Sequence, residues 1–133
     1  MLKAISKVSL FAFLVISLTA CAAKPRPVLN YNQQGIPSGL TTKQVQQSIQ
    51  TAGQLRGWTM TSVKPGLMQG SIDSHGHYAS ITIPYDDNFY SINYKDSYGL
   101  KYNGTTIHRN YNKWIATLNQ EIQTQLNATK VRS

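Results

Sequence analysis

From Ile107 to Leu126 the apolar residues Ile107, Tyr111, Trp114, Ile115, Leu118, Ile122 and Leu126 recur mostly three or four positions apart. At 3.6 residues per turn this lines one stripe of an α-helix, and about five turns of such a stripe need a surface to cover them. Thr105 or Thr106 stands where a hydroxyl can take up a backbone N–H left over by the first turn. Arg109, Lys113, Asn119, Gln120 and Gln123 fall on the opposite side and are expected to face water. The cover has to come from earlier in the chain.

Two kinds of segment supply it. Thr41 and Gln44 have the spacing of a capping box, with Leu40 and Val45 at the positions of a hydrophobic staple. Val45, Ile49, Ala52 and Leu55 then continue an apolar face until Gly57, a natural helix stop. From Trp58 the period changes to two. Trp58 to Lys64, Leu67 to Asp73, Tyr78 to Tyr85 and Phe89 to Lys95 alternate, and turn signals separate them at Pro65-Gly66, Ser74-His75-Gly76-His77 and Asp86-Asp87-Asn88. Ala79, Ile81, Ile83 and Tyr85 share one face, as do Tyr90, Ile92 and Tyr94. The expected fold is α+β: a four-stranded antiparallel meander with an N-terminal and a C-terminal helix packed on its one apolar face. Trp58, Tyr90 and Trp114 are expected to fill the interface. The domain is placed at residues 40–128, with 129–133 as a C-terminal tail.

The N-terminus is organised differently. Lys3 and Lys7 precede an apolar run from Val8 to Leu18, too short for the roughly 20 residues that span a bilayer. Small residues follow, and Leu18-Thr19-Ala20-Cys21 ends in the chain's single cysteine. This resembles the lipobox of bacterial lipoprotein precursors, which implies a signal peptide over 1–20, cleavage before Cys21, and acylation of that cysteine. Several acyl chains on one residue hold a membrane stably where one does not. The resemblance also implies a lipid-bilayer partner and, because Ala22 stands where aspartate would favour inner-membrane retention, an outer-membrane location facing the periplasm. Residues 21–39 are expected to be the acylated cysteine and a flexible tether, since Pro25, Pro27, Gly35, Pro37 and Gly39 interrupt a polar stretch.

Thirteen Lys and Arg stand against five Asp and Glu. Loss of Lys3 and Lys7 with the signal leaves eleven against five, a balance of +6. A surplus of this sign favours anionic envelope ligands such as lipid headgroups, lipopolysaccharide or cell-wall fragments. Nucleic acid is excluded as a partner by the periplasmic address. No cofactor motif, Gly-x-Ser-x-Gly elbow or pair of carboxylates on a helix is present, so the expected role is non-enzymatic.

The stretches Tyr90-Ser91-Ile92-Asn93-Tyr94-Lys95-Asp96-Ser97 and Ile107-His108-Arg109-Asn110-Tyr111-Asn112-Lys113-Trp114 resemble a group of small lipoproteins of Gram-negative bacteria, which implies a location and no activity. His108, Arg109 and Asn112 lie within about one helical turn and can meet a loop bearing Tyr98 and Tyr102. Those five are candidates for binding an anionic or sugar group. The preferred reading is a hydrogen-bond network that holds the helix start and the segment Asp96 to Gly104. Asp73, His75 and His77 are a weaker alternative as metal ligands, lacking a third nitrogen donor nearby. An open strand edge offers a further route, docking an envelope protein by strand addition.

Overall fold

The computed structural model describes residues 24–133; the expected signal segment 1–20 and Cys21 lie outside the described residues. The elements in order are β1 (Arg26–Pro27), β2 (Tyr31–Gly35), α1 (Thr42–Leu55), β3 (Thr59–Lys64), β4 (Leu67–Ser74), β5 (His77–Pro84), β6 (Phe89–Tyr98), β7 (Thr106–Ile107) and α2 (Arg109–Arg132). The class is α+β with two helices. Its main sheet has five antiparallel strands in the order β2-β6-β5-β4-β3, and β1 pairs with β7 in a separate two-stranded sheet.

Local signals set the element ends. Thr41 Oγ1 accepts from the Gln44 N–H at 3.1 Å and Gln44 Oε1 accepts from the Thr41 N–H at 2.9 Å, closing the capping box. At the other end Gly57 adopts φ 84°, its N–H donating to Gln54 O and that of Trp58 to Gly53 O, the two bonds of a Schellman ending. Between β4 and β5 the pairing of Ser74 with His77 leaves His75 and Gly76 as a two-residue turn, with φ of 52° and 78°. Two positive values in succession match the twist of a tight hairpin.

The core lies between the sheet and the helices. Met68, Ala79, Ile81, Ile83, Tyr90 and Ile92 from the sheet meet Val45, Ile49 and Ala52 of α1 and Tyr111, Ile115, Leu118, Ile122 and Leu126 of α2, all buried. Trp58 is buried and Trp114 partly so. Ser48 meets Thr129 at 2.9 Å and Arg56 pairs with Glu121 at 3.1 Å, so the two helices run antiparallel. Gly53 and Gly70 together make room for Met60; a Cβ on Gly53 would collide with the Met60 sulfur. A helix-interior glycine costs about 1 kcal/mol relative to alanine, here offset by the close approach of α1 to β3. Asn119, expected to face water, turns inward: it is buried, and its Oδ1 accepts from the Tyr90 hydroxyl at 2.5 Å.

Besides Asn119, four expectations need correction. The sheet expected as a four-stranded meander has a fifth strand, because β2 pairs along the outer edge of β6. Thr105 and Thr106 do not cap α2, because Thr105 lies in a bend and Thr106 in β7, before the helix; His108 is the cap, its Nδ1 accepting from the Asn110 N–H at 3.1 Å. Residues 129–133 are not a loose tail, since α2 runs on to Arg132 and Thr129 bonds Ser48. Within the segment expected as a tether, 21–39, the stretch from Arg26 to Ile36 is built into the fold. Val28, Leu29, Tyr31 and Ile36 pack against the core, and β2 pairs with β6. Val28 N–H donates to Thr105 O, Leu29 N–H to Asn112 Oδ1, Gln33 N–H to Ser91 Oγ and Ile36 N–H to Asn88 O. The polar, proline-bearing composition is that of an edge segment, where an absent N–H disturbs no central ladder. It also covers the edge of β6, which would otherwise be bare.

Candidate functional site

The expected site residues collect at one end of the molecule, formed by the β4–β5 turn, the loop after β6, the β1–β7 pair and the first turn of α2. This end is built mostly by side chains gripping backbone. Asn103 Oδ1 accepts from the N–H groups of Thr105 and Thr106, at 3.0 and 2.8 Å. The His108 N–H donates to Leu100 O at 2.8 Å, and Leu100 is buried beneath its loop. Asn112 receives the Leu29 N–H on Oδ1 at 3.0 Å and donates from Nδ2 to Pro27 O at 2.8 Å. Both ends of that amide therefore strap the incoming N-terminal segment to α2.

His108 is held in a related way. Its ring stacks on His77 with centroids 5.8 Å apart and planes 20° from parallel. Burial, then the neighbouring His77, Lys101 and Arg109, hold its pKa below the ordinary 6.5. The neutral ring is the form able to accept the Asn110 N–H. His108 and Asn112 thus serve the fold, and neither lines a hollow with Tyr98 and Tyr102.

Those two tyrosines do share one. A hollow of about 560 Å³ is lined by Tyr94, Lys95, Asp96, Tyr98, Lys101 and Tyr102, with Ser97, Gly99 and Leu100 between them. Tyr98 is 75% exposed, and Tyr102 stacks on Tyr94 at 4.2 Å between centroids. Gly99 adopts φ 74° against the Gly76 carbonyl, which a Cβ would strike, so the loop packs onto the β4–β5 turn. Lys95 and Lys101 share the stretch 94–102 with the tyrosines, but no sequence signal shows that this stretch curls around a hollow. Lys101 takes the left-handed conformation, φ 53°, on a loop placed only by the tertiary fold. Lys95 is drawn across the open sheet face by Gln69, whose Oε1 accepts from Nζ at 2.9 Å.

The metal alternative does not form. Among the described residues no three His, Cys, Asp or Glu side chains are grouped to hold an ion. The register explains this: Asp73 pairs with Tyr78 and Ser74 with His77, so Asp73 and His77 point to opposite faces of the hairpin. Arg109 is exposed at the start of α2. Asp86 is occupied by its turn, its carboxylate accepting from Asn88 and Phe89 N–H groups at 2.7 Å each, which keeps its pKa below the usual range.

A second hollow, about 550 Å³ and open, runs between the helices and is lined by Gln44, Gln47, Gln54, Gln125, Thr129 and Arg132 among others. Its lining side chains are amides and hydroxyls with one cation, Arg132, and no acidic side chain. No family model, curated protein or solved structure matches the chain.

Proposed function

We propose that this chain is a lipoprotein of the cell envelope, anchored in the outer membrane through acylated Cys21 with its domain facing the periplasm, and that the domain is a non-enzymatic accessory module that docks an envelope protein. Docking takes place by strand addition along β3. The observation supporting it is the free edge at Thr59–Lys64: β3 ends the sheet order, pairs on one side with β4 alone, and leaves every residue but Met60 exposed, Val63 by 53%. An unpaired row of N–H and C=O groups templates a further strand. The opposite edge, β2, is less suited: both edge strands shift register, β2 between Tyr31 and Gln34 and β3 between Ser62 and Lys64, but in β2 the backbone also turns to a positive φ, 47° at Gln33.

The test is photocrosslinking in intact cells from a reactive side chain at Val63, with Cys21→Ala as the control. One dominant envelope protein, captured at Val63 and lost in the control, is the expected result. Capture of abundant bystanders alone overturns the docking role, and a signal indifferent to Cys21→Ala overturns the anchor.

A further inference from the structure

The N-terminal strap shortens the expected tether. β1 is fixed to β7, with Arg26 opposite Ile107 and Pro27 opposite Thr106, and Asn112 holds Pro27 and Leu29 from the other side. Only Ala22, Ala23, Lys24 and Pro25 separate Cys21 from Arg26. At full extension those five steps reach about 18 Å, whereas α2, 24 residues long, spans about 36 Å by its rise per residue.

Cations lie at both ends of the domain: Arg26, Lys101 and Arg109 at the strapped end, and Lys64, Lys130 and Arg132 towards the other. Charge alone therefore does not choose an orientation, but the anchor does. The strapped end also points the N-terminus of α2 outward with no acidic residue in its first turn, adding positive potential. Tyr98, the last residue of β6, and Tyr102 are exposed on either side of Lys101, and tyrosine is a side chain that settles at headgroup level. The nearest acids along the strands are Asp73 and Asp96, while Asp86 and Asp87 occupy the turn at the far end of β5 and β6.

We infer that the end carrying Arg26, Lys101, Arg109, Tyr98 and Tyr102 rests on the phospholipid surface that holds Cys21, with the cations against anionic headgroup phosphates. The inference depends on the lipoprotein reading. It adds that the domain is seated rather than swinging. Seating brings the cations within the roughly 8 Å over which surface charge acts at physiological salt.

The test is hydrogen exchange on the mature acylated chain, reconstituted in phosphatidylcholine vesicles with or without about a third phosphatidylglycerol. Residues 98–106 are expected to exchange more slowly on the anionic vesicles, while β3 exchanges equally on both. The paired change Lys101→Asn, Arg109→Gln is expected to shift the seated-to-lifted ratio about thirtyfold, each cation at such a surface giving roughly a fivefold bias. Asparagine suits the left-handed backbone at position 101, and unchanged exchange in β5 reports intact folding. Equal exchange of 98–106 on both vesicles, with Cys21 acylated and the protein floating with lipid, overturns the seating and leaves the anchor standing. Absence of the acyl group overturns both. Slowing in native envelopes but not in protein-free vesicles overturns it in favour of a protein partner.

Discussion

The seam between sheet and helices and the strapped end of the domain are held by different forces. In the seam, buried apolar side chains from three strands and both helices meet face to face, and the polar pair Tyr90 and Asn119 is enclosed among them. At the strapped end, Asn103, His108 and Asn112 each grip backbone groups, and most of the surface around them is exposed. The seam draws on removal of apolar area from water, at about 25 cal/mol per Å². The strapped end depends on hydrogen bonds worth about 1 kcal/mol net each. One region should therefore fail as a whole, and the other should open locally while the seam persists.

The sharpest contrast pairs Ile81→Ala with Asn112→Ala. Truncating Ile81, fully buried on β5, should cost about 2 to 5 kcal/mol of global stability. Removing the Asn112 amide should cost about 1 to 2 kcal/mol and speed exchange selectively in residues 26–36. Urea midpoints with residue-resolved exchange separate the two, and a uniform acceleration in Asn112→Ala would erase the distinction between the regions.

Two buried tyrosines sharpen it further. Burial pushes the Tyr90 hydroxyl up to about 12, with Gln123 partly offsetting that, and the hydroxyl donates to Asn119. Burial also raises the Tyr111 hydroxyl, which has no hydrogen-bond partner in the described structure. Tyr90→Phe should lose about 1 to 2 kcal/mol by stranding Asn119, whereas Tyr111→Phe should be neutral or gain up to about 1 kcal/mol. The opposite order of urea midpoints would mean that the Tyr111 hydroxyl is engaged after all.

The smallest effect is a pH dependence confined to the strapped end. His108 is depressed below 6.5, first by burial and then by His77, Lys101 and Arg109. The unfolded chain therefore binds the proton more readily, and folding loses stability as pH drops. The contribution of the neutral ring is complete above about 6.5 and is lost as pH falls through the lower folded value. Stability followed from about pH 7.5 down to 5 should show this slope, and His108→Asn, which keeps a capping oxygen that does not titrate, should flatten it. An equal slope in the variant would place the titration elsewhere.

How far the sequence could be read follows from the range of each interaction. The Thr41–Gln44 box and the Gly57 stop involve neighbours three to five positions apart, and both stand as expected. The inward face Ala79, Ile81, Ile83 with Tyr90 and Ile92 also stands, because alternation records which side meets the core. The candidate site fared differently. Asn112 finds its partners 83 and 85 positions away, and the N-terminal segment gave no periodicity to announce that it packs. Tyr98 and Tyr102 were legible as loop aromatics, but Lys95 and Lys101 join them only through the bend of the chain.

Asn119 marks the boundary between the two kinds of information. Periodicity placed it on the watery side of a helix whose apolar stripe was unmistakable, and only the arrival of Tyr90 from β6 made an inward amide favourable. The sequence by itself determined the α+β class, the places of the turns and the apolar faces, since these follow from local stereochemistry and from which side chains avoid water. The tertiary structure decided the fifth strand, the strap at Asn112 and the histidine cap. The first two need groups far apart along the chain to find each other, and the cap, though its bond is local, waits on Thr106 and Ile107 being held extended against β1; composition and period encode none of these.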